Sequence, residues 1–149
     1  MPAEEAARTL FPASPASSCA EIEAEAERIG AFLSGDAITF SLEMVRMDLC
    51  TAFQQRVLRA EHAIPRGKAS TYGLIAKHLG MPKSARAVGT ALATNPFPLI
   101  IPCHRAIRSD GTLGGYQGGL AMKRALLEME GIAFSDSRGV EPAYFHYAC

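Results

Sequence analysis

Residues 67–105 read GKASTYGLIAKHLGMPKSARAVGTALATNPFPLIIPCHR, and the fold turns on how this stretch is punctuated. Thr71 to Leu79 and Lys83 to about Ala93 have the composition of two helices, and Gly80 with Pro82 breaks the chain between them. Helix, short turn, helix is the spacing of a helix-turn-helix unit. Paired helices also occur in many proteins that never touch DNA, so the spacing by itself leaves both readings open. Beyond Asn95, the residues Pro96, Pro98 and Pro102 surround Leu99, Ile100 and Ile101, which predicts a buried, extended connector. That connector delivers the chain to Cys103.

Upstream, residues 1–17 are rich in Ala, Pro and Ser without a regular apolar stripe and read as a disordered lead-in. Ser18 and Glu21 form a capping-box pattern, and Ile22, Ala26, Ile29 and Leu33 then recur at helical spacing until Gly35. Ala37 to Leu42 and Met44 to Leu49 read as short extended segments. A second capping box at Thr51 and Gln54 opens a helix to about Ala63, which Pro65 and Gly67 end in a turn. Downstream, Asp110-Gly111 reads as a hairpin turn, Gly114 to Gly119 as a flexible loop, and Met122, Leu126 and Met129 as the stripe of a last helix that Gly131 stops.

The 149 residues carry no net charge, yet the charge is unevenly spread. The first 48 residues hold three Arg and Lys against nine Asp and Glu, whereas residues 56–108 hold nine against Glu61 alone. A basic segment of that strength suits a polyanion partner or a solvated basic face. No apolar run reaches the roughly 18 residues of a membrane span, and the start lacks the order of a signal peptide. The expectation is a soluble, cytoplasmic protein. Cys19, Cys50, Cys103 and Cys149 lack paired spacing, so they read as reduced thiols; His62, His78 and His146 show no ligand spacing, so no metal is expected.

In Ile101-Pro102-Cys103-His104-Arg105 a thiol follows a constrained ring and precedes two potential cations, surroundings that lower a thiol pKa and favour the nucleophilic thiolate. A small buried core residue is the competing reading.

The string IPCHR, preceded by Asn95-Pro96 and followed by GGYQGGL, resembles the active-site segment of the O6-alkylguanine-DNA alkyltransferases. The likeness runs without a gap from Phe53-Gln54-Gln55-Arg56-Val57 to Glu130-Gly131. GKASTYGLIA at 67–76 resembles the first helix of that family's DNA-binding pair, and SARAVGTAL at 84–92 its recognition helix. The resemblance implies a mostly α fold: a helix-turn-helix, winged-helix-like C-terminal domain with a reduced α+β N-terminal segment. Its divisions are 1–17, 18–50, 51–132 and a tail, 133–149, with no counterpart.

It implies that Cys103 accepts the alkyl group, that His104 bridges to the thiol through a water as its base, and that Glu130 orients His104. Asn95 matches a residue that bonds around the active-site turn, and Tyr72 one that faces the target nucleotide and its phosphate. Arg86 matches the arginine that fills the gap left by an extruded guanine, since a stacked base buries its alkyl carbon and must be flipped out. Ala85, Ala87 and Gly89 give a thin helix face for a minor groove ~6 Å wide, and Arg105 is counted with them as DNA-binding. Tyr116, Gln117 and Gly118 belong to the loop that closes over the base. The implied partner is double-stranded DNA containing O6-alkylguanine, met by a monomer in the cytoplasm, at the nucleoid or in the nucleus, with no cofactor, metal or membrane. Each molecule acts once.

Two departures stand out. Gln117 replaces an expected small hydroxyl residue, which bears on one hydrogen bond to O6 and on the alkyl groups accepted. Only AFLSGDAITFSL, at 31–42, resembles the family's N-terminal domain, at its end. Two rivals remain: the alkyltransferase-like proteins, which bind alkylated guanine with the acceptor cysteine replaced, and a helix-turn-helix regulator, for which the side chains of 83–93 are mostly too short to read base edges.

Overall fold

The acidic N-terminal third forms helices of its own. In the computed structural model, which describes residues 2–10, 19–135 and 139–148, residues Met1–Thr39 make one unit and Phe40–Cys149 another. Helix α1 (Ala3–Leu10) carries Glu4 and Glu5 in its first turn and Arg8 in its last, charges that complement the helix dipole. Its alanines favour helix. The expected disorder of 1–17 is therefore wrong for residues 3–10, while 11–17 lie outside the described residues. Helix α2 (Ala20–Leu33) is capped by Cys19 without a side-chain bond; the Ser18 capping box lies outside the described residues. Gly35, at φ +103°, ends α2, and the Asp36 N–H returns to the Ala31 carbonyl at 3.1 Å. No strand occurs among the described residues of this unit, so the expected α+β segment is helical.

Residues 37–41 carry no helix, but two single-turn 3-10 helices of the second unit, Leu42–Met44 and Met47–Leu49, stand where the second extended segment, Met44 to Leu49, is expected. Ser41 Oγ accepts the Glu43 N–H at 3.1 Å and starts the first. Met47 and Cys50 are buried in the same core as the helix that follows, so the boundary falls after Thr39 rather than after 50. Helix α3 (Ala52–His62) begins as the sequence predicts, with Thr51 accepting the Gln54 N–H at 3.2 Å.

Strand β1 (Ser70–Thr71) leads directly into α4 (Tyr72–His78), and α5 (Ala85–Ala93) follows after the Gly80–Pro82 break. The faces of α3, α4 and α5 meet in one core: Val57 and Leu58, Ile75 and Ala76, Val88 and Leu92, closed by Ile101 and Ala106. Burying each large aliphatic side chain is worth about 1.5–3 kcal/mol. The connector after Asn95 is not extended. It turns back on itself, with Ile101 N–H donating to the Phe97 carbonyl at 2.9 Å and Leu99 at φ +72°.

Strand β2 (Ala106–Ile107) pairs with β1 in parallel, Ser70 opposite Ala106 and Thr71 opposite Ile107. The Asp110-Gly111 turn exists, closed by Arg108 N–H on the Thr112 carbonyl at 2.9 Å, but it does not join a hairpin through β2. Helix α6 (Leu120–Met129) ends at Gly131, φ +94°. The tail folds back onto this unit: β3 (Phe134–Ser135) pairs antiparallel with β4 (Gly139–Val140). Beyond it, the Tyr144 carbonyl accepts from Ala69 N–H at 3.0 Å and the His146 N–H reaches the Ala69 carbonyl at 2.7 Å. Ala69, Ile107, Leu127, Ile132 and Val140 form a second small core beneath it. No helix among the described residues is long and apolar enough to cross a membrane.

One buried acid breaks the rule that buried charges are paired. Glu61 is fully buried on α3, neither carboxyl oxygen has a hydrogen-bond partner, and burial, opposed by the charges of Lys123 and Arg105, pushes its pKa up to about 8. Its folded value lies above the unfolded value near ~4.3, so its contribution to stability is present at acid pH and is lost as the pH rises through 8. Glu61→Leu should raise the unfolding free energy by about 1–3 kcal/mol at pH 7, with the gain over wild type widening up to pH 8. Urea titrations across that range check both parts.

Candidate active site

Cys103 begins a 3-10 turn, Cys103–Arg105, whose three side chains are all buried. Asn95 shapes the approach to it: Nδ2 donates to the Ile101 carbonyl at 3.0 Å, and Oδ1 accepts the Phe97 N–H at 2.9 Å. Behind the turn lies Glu130, the C-cap residue of α6. One of its oxygens lies 2.7 Å from His104 Nε2, and Arg105 grips both, Nε and Nη2 each at 2.8 Å. Arg105 Nη1 also donates to the Ile64 carbonyl at 2.6 Å, just past α3. Three distant segments are thus tied to one carboxylate.

The electrostatics follow from this burial. Desolvation works against the Glu130 charge, but the bonds from His104 and Arg105, with the charge of Arg105 and, at acid pH, of protonated His104, outweigh it and hold the pKa at about 2. For His104 desolvation wins over Glu130, so its pKa falls and the ring is neutral at pH 7. Burial pushes the Cys103 thiol up to about 11 despite a bond from Asn95. The expectation of a lowered thiol pKa is corrected: Arg105 is neutralised by Glu130 and His104 is uncharged, so neither neighbour acts as a cation on the sulfur.

Cys103 forms part of the wall of a cleft of about 900 Å³ between α4, α5 and the loop before α6. Tyr72, Ala85, Arg86 and Gly89 line it from the helices, Arg108 and Ser109 from the turn after β2, and Tyr116 and Gln117 from the loop. That loop carries anchors at alternate residues. Buried Lys123 donates through Nζ to the carbonyls of Ala106, Leu113 and Gly115, and Gln117 Nε2 donates to the carbonyls of Ala93 at 2.9 Å and Asn95 at 3.0 Å.

Residues 52–132 match the family model described as 6-O-methylguanine DNA methyltransferase, DNA binding domain. The chain belongs to this family. A methylated-DNA–protein-cysteine methyltransferase from Methanothermobacter thermautotrophicus is 49% identical over 107 residues, 72% of this chain and 60% of that protein. The crystal structure of Mycobacterium tuberculosis OGT in complex with DNA superposes with a TM-score of 0.67 at 44% identity, covering 72% of this chain and 66% of that one. Schizosaccharomyces pombe Atl1, in complex with damaged DNA containing O6-carboxymethylguanine, gives 0.56 at 35% identity, covering 68% and 98%. The chain spans about three-fifths of the length of the curated relatives it matches.

The methyltransferase-family residues named from sequence fall into two layers. Tyr72, Arg86, Ala85, Gly89, Cys103, Tyr116 and Gln117 share the cleft; Asn95, His104 and Glu130 stand behind the thiol. Ala87 is exposed on α5, and Gly118 lies beside the cleft without lining it. Arg105 is a correction: only 7% exposed, with its guanidinium on Glu130 and Ile64, it is a structural cation that no DNA can reach. The sequence reading missed Lys123 and the anchoring side of Gln117. A lysine inside the apolar stripe of α6 was the available signal for the first; nothing local marked the second.

Because the folded pKa of Glu130 lies below its unfolded value, its contribution is present above about pH 4.3 and is lost as the pH falls toward 2. Glu130→Gln should lower the unfolding free energy by about 3–5 kcal/mol at pH 7, since it leaves Arg105 buried without its counter-charge. The gap from wild type should close between pH 5 and 2 in denaturant titrations.

Proposed function

We propose that this protein repairs DNA directly, taking the alkyl group of O6-alkylguanine onto Cys103 in a single turnover, as a methylated-DNA–[protein]-cysteine S-methyltransferase. The observation that carries the reading is Cys103 at the wall of an open cleft of about 900 Å³, backed by the His104–Glu130 pair. Family membership supports it, as do relatives whose names state this activity.

With Nε2–H of His104 given to Glu130, the ring's lone pair stays on Nδ1. A water relays the thiol proton to that lone pair, and the imidazolium so formed is stabilised by a carboxylate that stays charged far below neutral pH. The sulfur attacks the alkyl carbon in line, the carbon–O6 bond breaks, and its electron pair leaves with the guanine. Tyr72, kept protonated by the burial that raises its pKa, hands a proton to the departing base, and the proton held on the imidazolium returns through water to the tyrosinate, leaving both groups neutral. The product is a thioether, and no step restores the thiol. α4 and α5 act as a helix-turn-helix pair with α5 in the minor groove, Ala85, Ala87 and Gly89 allowing close approach and Arg86 filling the stack.

Incubation with a duplex containing O6-methylguanine should add the mass of one methyl group to the Cys103 peptide, once per molecule, and Cys103→Ala should bind the duplex without the gain. Binding by the wild type with no gain in mass would favour instead a damage-binding role like that of Atl1. Arg86→Ala should slow transfer from duplex DNA about tenfold or more while sparing transfer from free alkylated guanine; equal losses on the two substrates in single-turnover assays contradict the plug.

A further inference from the structure

Arg108 lines the same cleft as Cys103 and Arg86, and none of the roles above uses it. Its backbone is fixed on both sides: the N–H donates to the Thr112 carbonyl at 2.9 Å, and its carbonyl accepts the Gly111 N–H at 3.0 Å. The C-terminal hairpin, which lies beyond the family match, buttresses that turn. Val140 N–H donates to the Gly111 carbonyl at 2.9 Å. Gly139, at φ +77°, packs so closely that a Cβ there would sit 2.2 Å from the same oxygen.

The side chain is exposed but directed. A Cβ on Gly114 would lie 3.5 Å from Arg108 Cγ and 2.9 Å from the Tyr72 hydroxyl, so the arginine stem and the tyrosine converge over Gly114 on the cleft wall. Among the described residues no hydrogen bond or ion pair engages the guanidinium. The nearby acid, Asp110, is turned to Thr112, accepting from N–H at 3.0 Å and Oγ1 at 2.6 Å. A guanidinium at the rim of a cleft, with its planar set of donors unspent, matches the geometry of a phosphate.

We propose that Arg108 is a phosphate-binding residue of this site, holding the backbone of the strand whose nucleotide enters the cleft. This rests on the reading that the cleft receives a nucleotide from DNA. Base and thiol recognition stay with Tyr72, Tyr116 and Cys103, so Arg108 should matter only when a phosphate is present.

The test compares wild type, Arg108→Ala and Arg124→Ala in binding to an ordinary duplex across a salt series. Arg124, exposed on α6 and paired with Glu128, removes the same charge away from the cleft. For Arg108→Ala the slope of log binding constant against log salt should become shallower by about 0.9, the share of one phosphate, with Arg124→Ala unchanged. Single-turnover transfer from the free alkylguanine base should keep the wild-type rate in Arg108→Ala. An unchanged slope, or a free-base rate that falls as far as the duplex rate, overturns the assignment and leaves the reading of the cleft standing. Failure of the wild type to bind duplex overturns both.

Discussion

Glu130 is the point on which the Cys103 side of this fold depends. A carboxylate inside a protein needs compensation close to its full charge, and here it comes from the paired bonds of Arg105 and the single bond of His104. Because Arg105 also binds the Ile64 carbonyl, the end of α6, the exit of α3 and the turn holding Cys103 are fixed together. The bonds around one carboxylate therefore set the relative position of three segments distant in sequence.

The same network explains why Cys103-His104-Arg105 reads differently in three dimensions than in one. Along the chain, the thiol precedes two basic residues. In the fold, the arginine's charge is cancelled, the histidine is neutral, and the sulfur is left in a low-dielectric wall that favours the thiol. Sequence adjacency carries residue type but not direction, and a 3-10 turn sends consecutive side chains to different sides.

Much of the scaffold was legible in local signals. Thr51 caps α3 as its spacing predicts, the Gly80–Pro82 break separates α4 from α5, and Gly131 ends α6. Those features depend on residues within one turn of each other. What was not legible depended on partners far away: the Asn95 bonds that curl the proline-rich connector into a turn, Lys123 gathering three carbonyls, and the tail bonding beside β1. Glu61 was hidden for the opposite reason, since a lone acid among basic residues looks solvated in sequence, while helical phase puts it inside.

On the proposed single-turnover reaction, a buried, protonated thiol suits a residue that would be spent once. Oxidants attack the thiolate and need access to it, so a cysteine held up to about 11 and only 6% exposed is protected while it waits. On the proposed mechanism the proton leaves only when the leaving group is in place, through a histidine whose own acquired charge is prepaid by Glu130. Every residue assigned to this sequence of events lies within Phe40–Cys149, and the parts that restrain it, Lys123 and Gln117 on the loop and Asn95 on the turn, converge on backbone carbonyls rather than on other side chains. The wall of the cleft is thereby set by main-chain geometry, which changes less readily with sequence than side-chain packing does.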